Sequence, residues 1–137
     1  MLVASASVCA LLAPAAAAVD IYAYANGCYA LKDAGSNRFV VRDALGYSAS
    51  APTAALATPF RMQATDLGSY MLYGPDQNMP GADTAATVSP SAAPGPPADW
   101  RLTDEGDTVM ITSVSTQRQL GVGPLDRVVQ VDSTTPR

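Results

Sequence analysis

Short runs along the chain alternate apolar with polar residues, the period-2 pattern of a half-buried strand, and they recur at a fixed distance. Cys28-Tyr29-Ala30-Leu31-Lys32-Asp33 is followed by Ser69-Tyr70-Met71-Leu72-Tyr73-Gly74 and then by Thr108-Val109-Met110-Ile111-Thr112-Ser113, so that Leu31, Leu72 and Ile111 are spaced by 41 and 39 residues. A second apolar set, Phe39, Met79 and Leu120, is spaced by 40 and 41, and a third, Tyr47, Val88 and Val129, by 41 and 41. Phe60 and Trp100, 40 residues apart, place one bulky aromatic in each of the first two units. A repeat of this length is a supersecondary unit that cannot bury its own apolar face, so neighbouring units must stack.

Turn residues punctuate the runs at matching places. Asp33-Ala34-Gly35-Ser36-Asn37 separates the first two strands of unit one, Gly74-Pro75-Asp76-Gln77-Asn78 those of unit two, and Ser115-Thr116-Gln117 those of unit three. Helical periodicity is weak, and 11 prolines with 10 glycines leave few stretches that hold a helix. Four short segments per unit therefore predict an all-β barrel or sandwich. The stretch 82–98, rich in Ala, Pro, Ser and Thr, reads as a solvated loop with polyproline-like segments, its middle pinned by Val88.

Three units of about forty residues with four strands each resemble a β-trefoil, in which every unit gives two strands to a closed barrel and two to a hairpin cap. A propeller is the competing repeat of this length, but three blades are too few to close one. The trefoil-like domain is expected at 27–137, with units at about 27–66, 67–105 and 106–137, after a short extension at 19–26. Extending the Phe60/Trp100 spacing puts the next aromatic at about position 140, past Arg137. The fourth strand of unit three is thus expected to be missing, the natural gene to continue, and the barrel edges beside the gap to stay unpaired.

The segment from Leu2 to Leu12 is uncharged and apolar and runs into Pro14 and the small residues Ala15 to Ala18. This is the pattern of an export signal cleaved after Ala18, which would leave Val19 as the mature start. It is too short to span a bilayer, which takes about 20 apolar residues. The first positive charge is Lys32, so the basic start of such a signal is lacking. Ala6-Ser7-Val8 ahead of Cys9 do not form a lipobox. The expected destination is outside the cytoplasm, extracellular or periplasmic. There Cys28 is left as a single thiol, either paired elsewhere or a small buried hydrophobe.

Composition narrows the function. Eight Lys and Arg against 12 Asp and Glu give a net charge of −4 with no basic cluster, which argues against a nucleic-acid partner. Histidine is absent, removing the usual general base, the Ser/His and Cys/His nucleophile pairs and the imidazole metal ligand. No Ser lies in a G-x-S-x-G elbow. The expectation is a non-enzymatic domain with no catalytic residues, no cofactor and no metal. Asp104-Glu105-Gly106-Asp107 gathers three carboxylates at one turn but matches no EF-hand spacing.

Ricin-type trefoil lectins, which the repeat resembles, carry Gln-x-Trp near the end of each unit and an Asp beneath an aromatic platform. The matching places here read Pro59-Phe60-Arg61-Met62 and Asp99-Trp100-Arg101-Leu102, without the Gln. Phe60 and Trp100 are accordingly expected first in the barrel core. Tyr73 beside the Gly74-Pro75 turn, Trp100 and Asp99 are the candidate ligand-binding residues. Six tyrosines outnumber two Phe and one Trp and supply apolar bodies with polar handles for sugars or peptides. The resulting reading is a secreted accessory or binding module with carbohydrate or protein contacts, or one packed against a downstream domain of its own chain. The alternative is the front of a secreted metal-dependent hydrolase whose catalytic domain lies beyond Arg137, since the segment is similar to trefoil-like regions placed ahead of such barrels. A fascin-type relative also shares this fold without Gln-x-Trp, but an export signal argues against a cytoskeletal partner.

Overall fold

A computed structural model describes residues 2–6 as backbone and residues 21–106 and 108–132 in full. The chain is all-β. Strand β1 (Leu2–Ala6) stands ahead of the first unit, which supplies β2 (Cys28–Asp33), β3 (Phe39–Asp43), β4 (Gly46–Ala51) and β5 (Phe60–Asp66). The second unit supplies β6 (Ser69–Tyr73), β7 (Met79–Ala82), β8 (Val88–Ser91) and β9 (Trp100–Asp104), and the third β10 (Val109–Ser113), β11 (Gln119–Val122) and β12 (Val128–Val131). Nine strands run as one antiparallel, nearly closed barrel in the order β12-β11-β10-β9-β6-β5-β2-β3-β4, and β7 with β8 forms a separate hairpin. Residues 7–20, which hold most of the expected export segment and its cleavage point, lie outside the described residues, as do Asp107 and residues 133–137.

The alternation in the sequence becomes an inside and an outside. Along β10 buried and half-buried residues strictly alternate. Leu31, Leu72 and Ile111 are all at most 1% exposed, and Phe60, Met62, Trp100 and Leu102 join them in the same core. Burying each such side chain contributes about 1.5–3 kcal/mol, which a chain with 7% aromatics achieves by spending its largest residues inside.

The turns after the first strands carry the repeat most sharply. The amides of Asp33, Gly74 and Ser113 donate to the carbonyls of Arg38, Asn78 and Arg118, and Asn37, Gln77 and Gln117, each 40 residues from the next, adopt left-handed φ of 60°, 68° and 64°. The turn in unit two is one residue shorter at its start. Because 38, 78 and 118 are equivalent, so are Phe39, Met79 and Gln119, and after them Val40, Pro80 and Leu120, all three of the last set buried. The sequence expectation, which matched Leu120 to Phe39 and Met79, is off by one: Phe39 is only half-buried under the Lys32 ammonium, 5.9 Å from its ring. The third set is corrected likewise, since Val128 rather than Val129 is buried with Tyr47 and Val88. The stretch 82–98 is not a loop throughout. Ala82 to Met79 pair with Val88 to Ser91, Pro80 facing Pro90, and Pro96–Ala98 forms a single 3-10 turn.

Side chains tie the hairpins together. The Gln130 amide donates to the carbonyls of Asp83 at 2.6 Å and Thr87 at 2.7 Å, giving a buried polar group the partners it requires. One Arg127 guanidinium nitrogen lies 2.8 and 2.7 Å from the two carboxylate oxygens of Asp43 at the end of β3. Burial pushes the Asp43 carboxyl upward, but hydrogen bonds from Arg127, Ser48 and the Leu45 amide, with the Arg127 charge, outweigh it and hold it below its ordinary value. A strap of residues 21–27 lies along β5 and β6: Asn26 donates to the Met62 carbonyl at 2.8 Å and the Tyr70 hydroxyl to the Ile21 carbonyl at 2.6 Å. Tyr24 meets Tyr29 edge-on at 4.9 Å.

The barrel edges expected to be open are paired. β1 runs antiparallel to β2 from Leu2 opposite Asp33 to Ala6 opposite Tyr29, and Leu2 also faces Val109 of β10. It bridges β2 and β10, meeting β10 at the Leu2–Val109 pair alone.

Candidate functional site

A concavity opens where β6 leaves the barrel. Tyr73 ends that strand and the chain turns at once through Gly74 to Asn78. The turn closes with Gly74 N–H to Asn78 O at 2.9 Å and Gln77 N–H to Gly74 O at 3.0 Å. A Cβ on Gly74 would sit tightly at its entrance, 3.0 Å from an Asp76 carboxylate oxygen and 3.3 Å from the Asn78 carbonyl. Asp76 accepts from the Asn78 amide at 3.1 Å and pairs at 3.3 Å with Arg42 of β3, so the turn is fastened to the first unit.

Beneath this turn lies an open cleft of about 220 Å³ lined by Cys28, Pro59, Arg61, Tyr73, Gly74, Pro75 and Gln77. That volume is below the range of drug-sized sites, about 300–1,000 Å³, and is on the scale of one small ring. In the antiparallel pairing of β5 with β6, Arg61 stands directly opposite Tyr73. The Arg61 guanidinium lies 5.0 Å from the centre of the Tyr73 ring, and one of its nitrogens donates to Gln63 Oε1 at 3.2 Å. The exposed guanidinium, a cation with five N–H donors, thus lies within cation–π distance of the ring. An aromatic, a planar cation and the Gln77 amide thus share one mouth. The positions equivalent to Tyr73, Lys32 and Thr112, carry no aromatic, so the aromatic wall between units one and two has no counterpart at those positions.

The residues singled out from sequence do not converge. Tyr73 is half-buried on the cleft wall. Trp100 is wholly buried, its indole N–H donating to the Pro80 carbonyl at 2.9 Å. As a ligand platform it is therefore corrected: its ring is core and its polar handle is already used. Asp99 is half-buried and accepts from the Thr65 hydroxyl at 2.6 Å, bracing the β9 entry rather than lining the cleft. Of the other tyrosines, Tyr70 and Tyr47 are buried and Tyr22 is 58% exposed. In the acidic turn, Asp104 accepts from the Gly106 amide at 2.9 Å, and no group of three metal-ligating side chains occurs among the described residues. Cys28 is disulfide-bonded, so the reading of it as a free buried thiol is corrected. The sequence's other cysteine, Cys9, lies outside the described residues.

Arg61, Gln77 and the Arg42–Asp76 pair were not singled out from sequence. Counting back across the hairpin from Asp66 opposite Ser69 sets Met62 opposite Tyr73, and only the bulge between Ala64 and Asp66 brings Arg61 there, so the sequence carried no signal for the pair.

No protein-family model matches the chain, and no curated protein matches it.

Proposed function

We propose that the chain is an exported, non-catalytic binding module of β-trefoil type that takes a single sugar ring of a polysaccharide in the Tyr73–Arg61 cleft. The trefoil reading is supported by the division of labour within the repeat. In units one and two the first and fourth strands pair along the barrel, β2 with β5 and β6 with β9, while the middle strands form the β3–β4 and β7–β8 hairpins.

The observation that carries the binding reading is the mouth itself, where an aromatic ring, a guanidinium held against it and an amide line a cleft of one-ring size. Aromatic rings with polar tips suit ligands that present an apolar face and a polar rim, and a guanidinium donates to paired oxygens. Nothing in the cleft pairs a nucleophile with a base, which is why the proposal is binding and not turnover.

Retention of the protein on a panel of immobilised polysaccharides tests it. Retention on at least one that is lost in Tyr73→Ala and Arg61→Ala, with unfolding midpoints unchanged, is the expected result. Retention on none, or full retention by both variants, overturns it. N-terminal sequencing of protein recovered outside the cells tests export, with Val19 as the expected first residue.

A further inference from the structure

The side-chain polar groups at the mouth of the Tyr73–Arg61 cleft are largely uncommitted, and donors outnumber acceptors among them. Arg61 donates to Gln63 Oε1 at 3.2 Å and makes no other hydrogen bond among the described residues, so most of the five N–H donors of its guanidinium have no protein acceptor. The Gln77 side-chain amide and the Tyr73 hydroxyl have no hydrogen-bond partner among the described residues either.

The charge is uneven as well. Arg42 and Arg127 are each held on a carboxylate, that of Asp76 at 3.3 Å and that of Asp43 at 2.7 Å. Arg61 forms no ion pair among the described residues and meets only a neutral ring at 5.0 Å and a neutral amide oxygen. None of the described residues lining the cleft is acidic, and Cys28, being disulfide-bonded, adds no thiolate. Asp76, the carboxylate of the turn above, is engaged by Arg42 and by the backbone and side-chain amides of Asn78 at 3.1 and 3.3 Å.

These two imbalances select among sugar rings. Each hydroxyl of a neutral ring brings a donor that needs a protein acceptor, and the side chains of the mouth offer only the Gln77 amide oxygen and the Tyr73 phenol. A carboxylate brings acceptors alone, in the planar two-oxygen form that a guanidinium fork matches, and it supplies the countercharge that Arg61 lacks. The single cation also limits the charge that is met. Densely sulfated polymers are bound by clusters of basic residues, whereas no second Lys or Arg is among the described residues lining this cleft.

Resting on the reading of the cleft as a sugar site, we propose that its ligand is a uronate, a sugar ring whose own carboxylate is taken by Arg61 while Tyr73 packs on its apolar face and Gln77 bonds to a ring hydroxyl. The preference is local. A chain with a net charge of −4 offers a polyanion no long-range attraction, so the discrimination rests on the one guanidinium.

Calorimetric titration of the full chain with polygalacturonate, with alginate, with the carboxyl-reduced form of each and with dextran sulfate tests this. At least one uronate polymer should bind at least about tenfold more tightly than its reduced form, and more tightly than dextran sulfate. Arg61→Gln, a change at an exposed position that should leave the unfolding midpoint where it is, should bind that polymer no better than the parent binds the reduced one. Equal binding of the charged and reduced forms by the parent, with both lost in Tyr73→Ala, overturns the uronate assignment and leaves the sugar-binding reading standing. A preference that survives in Arg61→Gln, or tighter binding of dextran sulfate, also overturns the assignment. Binding of none of these polymers, together with retention on none of the immobilised panel, overturns both.

Discussion

Tyr47→Phe is the substitution on which the packing argument is most exposed. Tyr47 is 2% exposed, its ring 6.0 Å from Phe60 and under the Arg42 guanidinium at 5.8 Å, and its hydroxyl has no hydrogen-bond partner among the described residues. A buried polar group without a partner costs about 1–3 kcal/mol of desolvation, while the contacts of one oxygen return only a few tenths of that. Phenylalanine keeps the ring, the Phe60 contact and the face presented to Arg42. The expected gain is about 1 kcal/mol at pH 7, or about 4 °C in Tm for a domain of this size.

The same hydroxyl sets a pH signature. Burial first, then the negative charge of Asp76, push the Tyr47 phenol well above its ordinary value of 10.0, with Arg42 opposing. The unfolded chain therefore releases this proton at a pH where the folded chain retains it. The group's contribution is fully present below pH 10 and declines as pH rises from there toward the folded value, by about 1.4 kcal/mol per pH unit. Urea unfolding followed by the fluorescence of Trp100, the only tryptophan, should show Tyr47→Phe ahead at pH 7 and further ahead at pH 11. A variant less stable than the parent by 1 kcal/mol or more, or two stability curves that stay parallel through pH 9–11, refutes the reasoning.

Two further outcomes are expected. Asp43→Asn should cost about 0.5–1 kcal/mol at neutral pH, the scale of a solvent-accessible ion pair. Because the folded carboxyl titrates below its ordinary 3.8, the deficit should be full above that pH and vanish as pH falls through the folded value; an acid-limb urea series in which the two proteins never converge would exclude it. Leu125, 90% exposed in a left-handed conformation at φ 59°, gains nothing from its side chain and carries about 1 kcal/mol of backbone strain that Asn tolerates better. Leu125→Asn should raise the urea midpoint, and a lowered midpoint would show that the leucine makes a contact that matters.

The core was legible where a residue's chemistry matched its burial. Leu31, Leu72 and Ile111 declared themselves by alternation and spacing. The register failed at Leu120 because its neighbour Gln119 is polar yet buried, so the apolar signal slid onto Phe39, whose true counterpart is that glutamine. Val88–Ser91 was hidden for a different reason. Its proline and small residues carry no strand signal of their own, and what makes it a strand is the ladder offered by β7, where Pro80 faces Pro90. Trp100 was offered as a ligand platform because its partner, the Pro80 carbonyl, is 20 residues away and adjacent only in space. The Tyr73–Arg61 contact needed the β5–β6 hairpin register before either residue pointed to the other.

β1 shows where the sequence argument reaches its limit. Periodicity requires a strand between β2 and β10, and Leu2-Val3-Ala4-Ser5-Ala6 meets the backbone part of that demand with the same small, uncharged residues that read as an export segment. Strand pairing is made by amides and carbonyls common to every residue, so the ladder accepts a segment without inspecting its side chains. Only the core registers discriminate. There the repeat has twice placed an aromatic and a long aliphatic residue, and β1 places Leu2 and Ala4. A strand that pairs along the barrel and a strand that fills its core are separate requirements, and what β1 shows is the first, five pairs with β2 and one with β10.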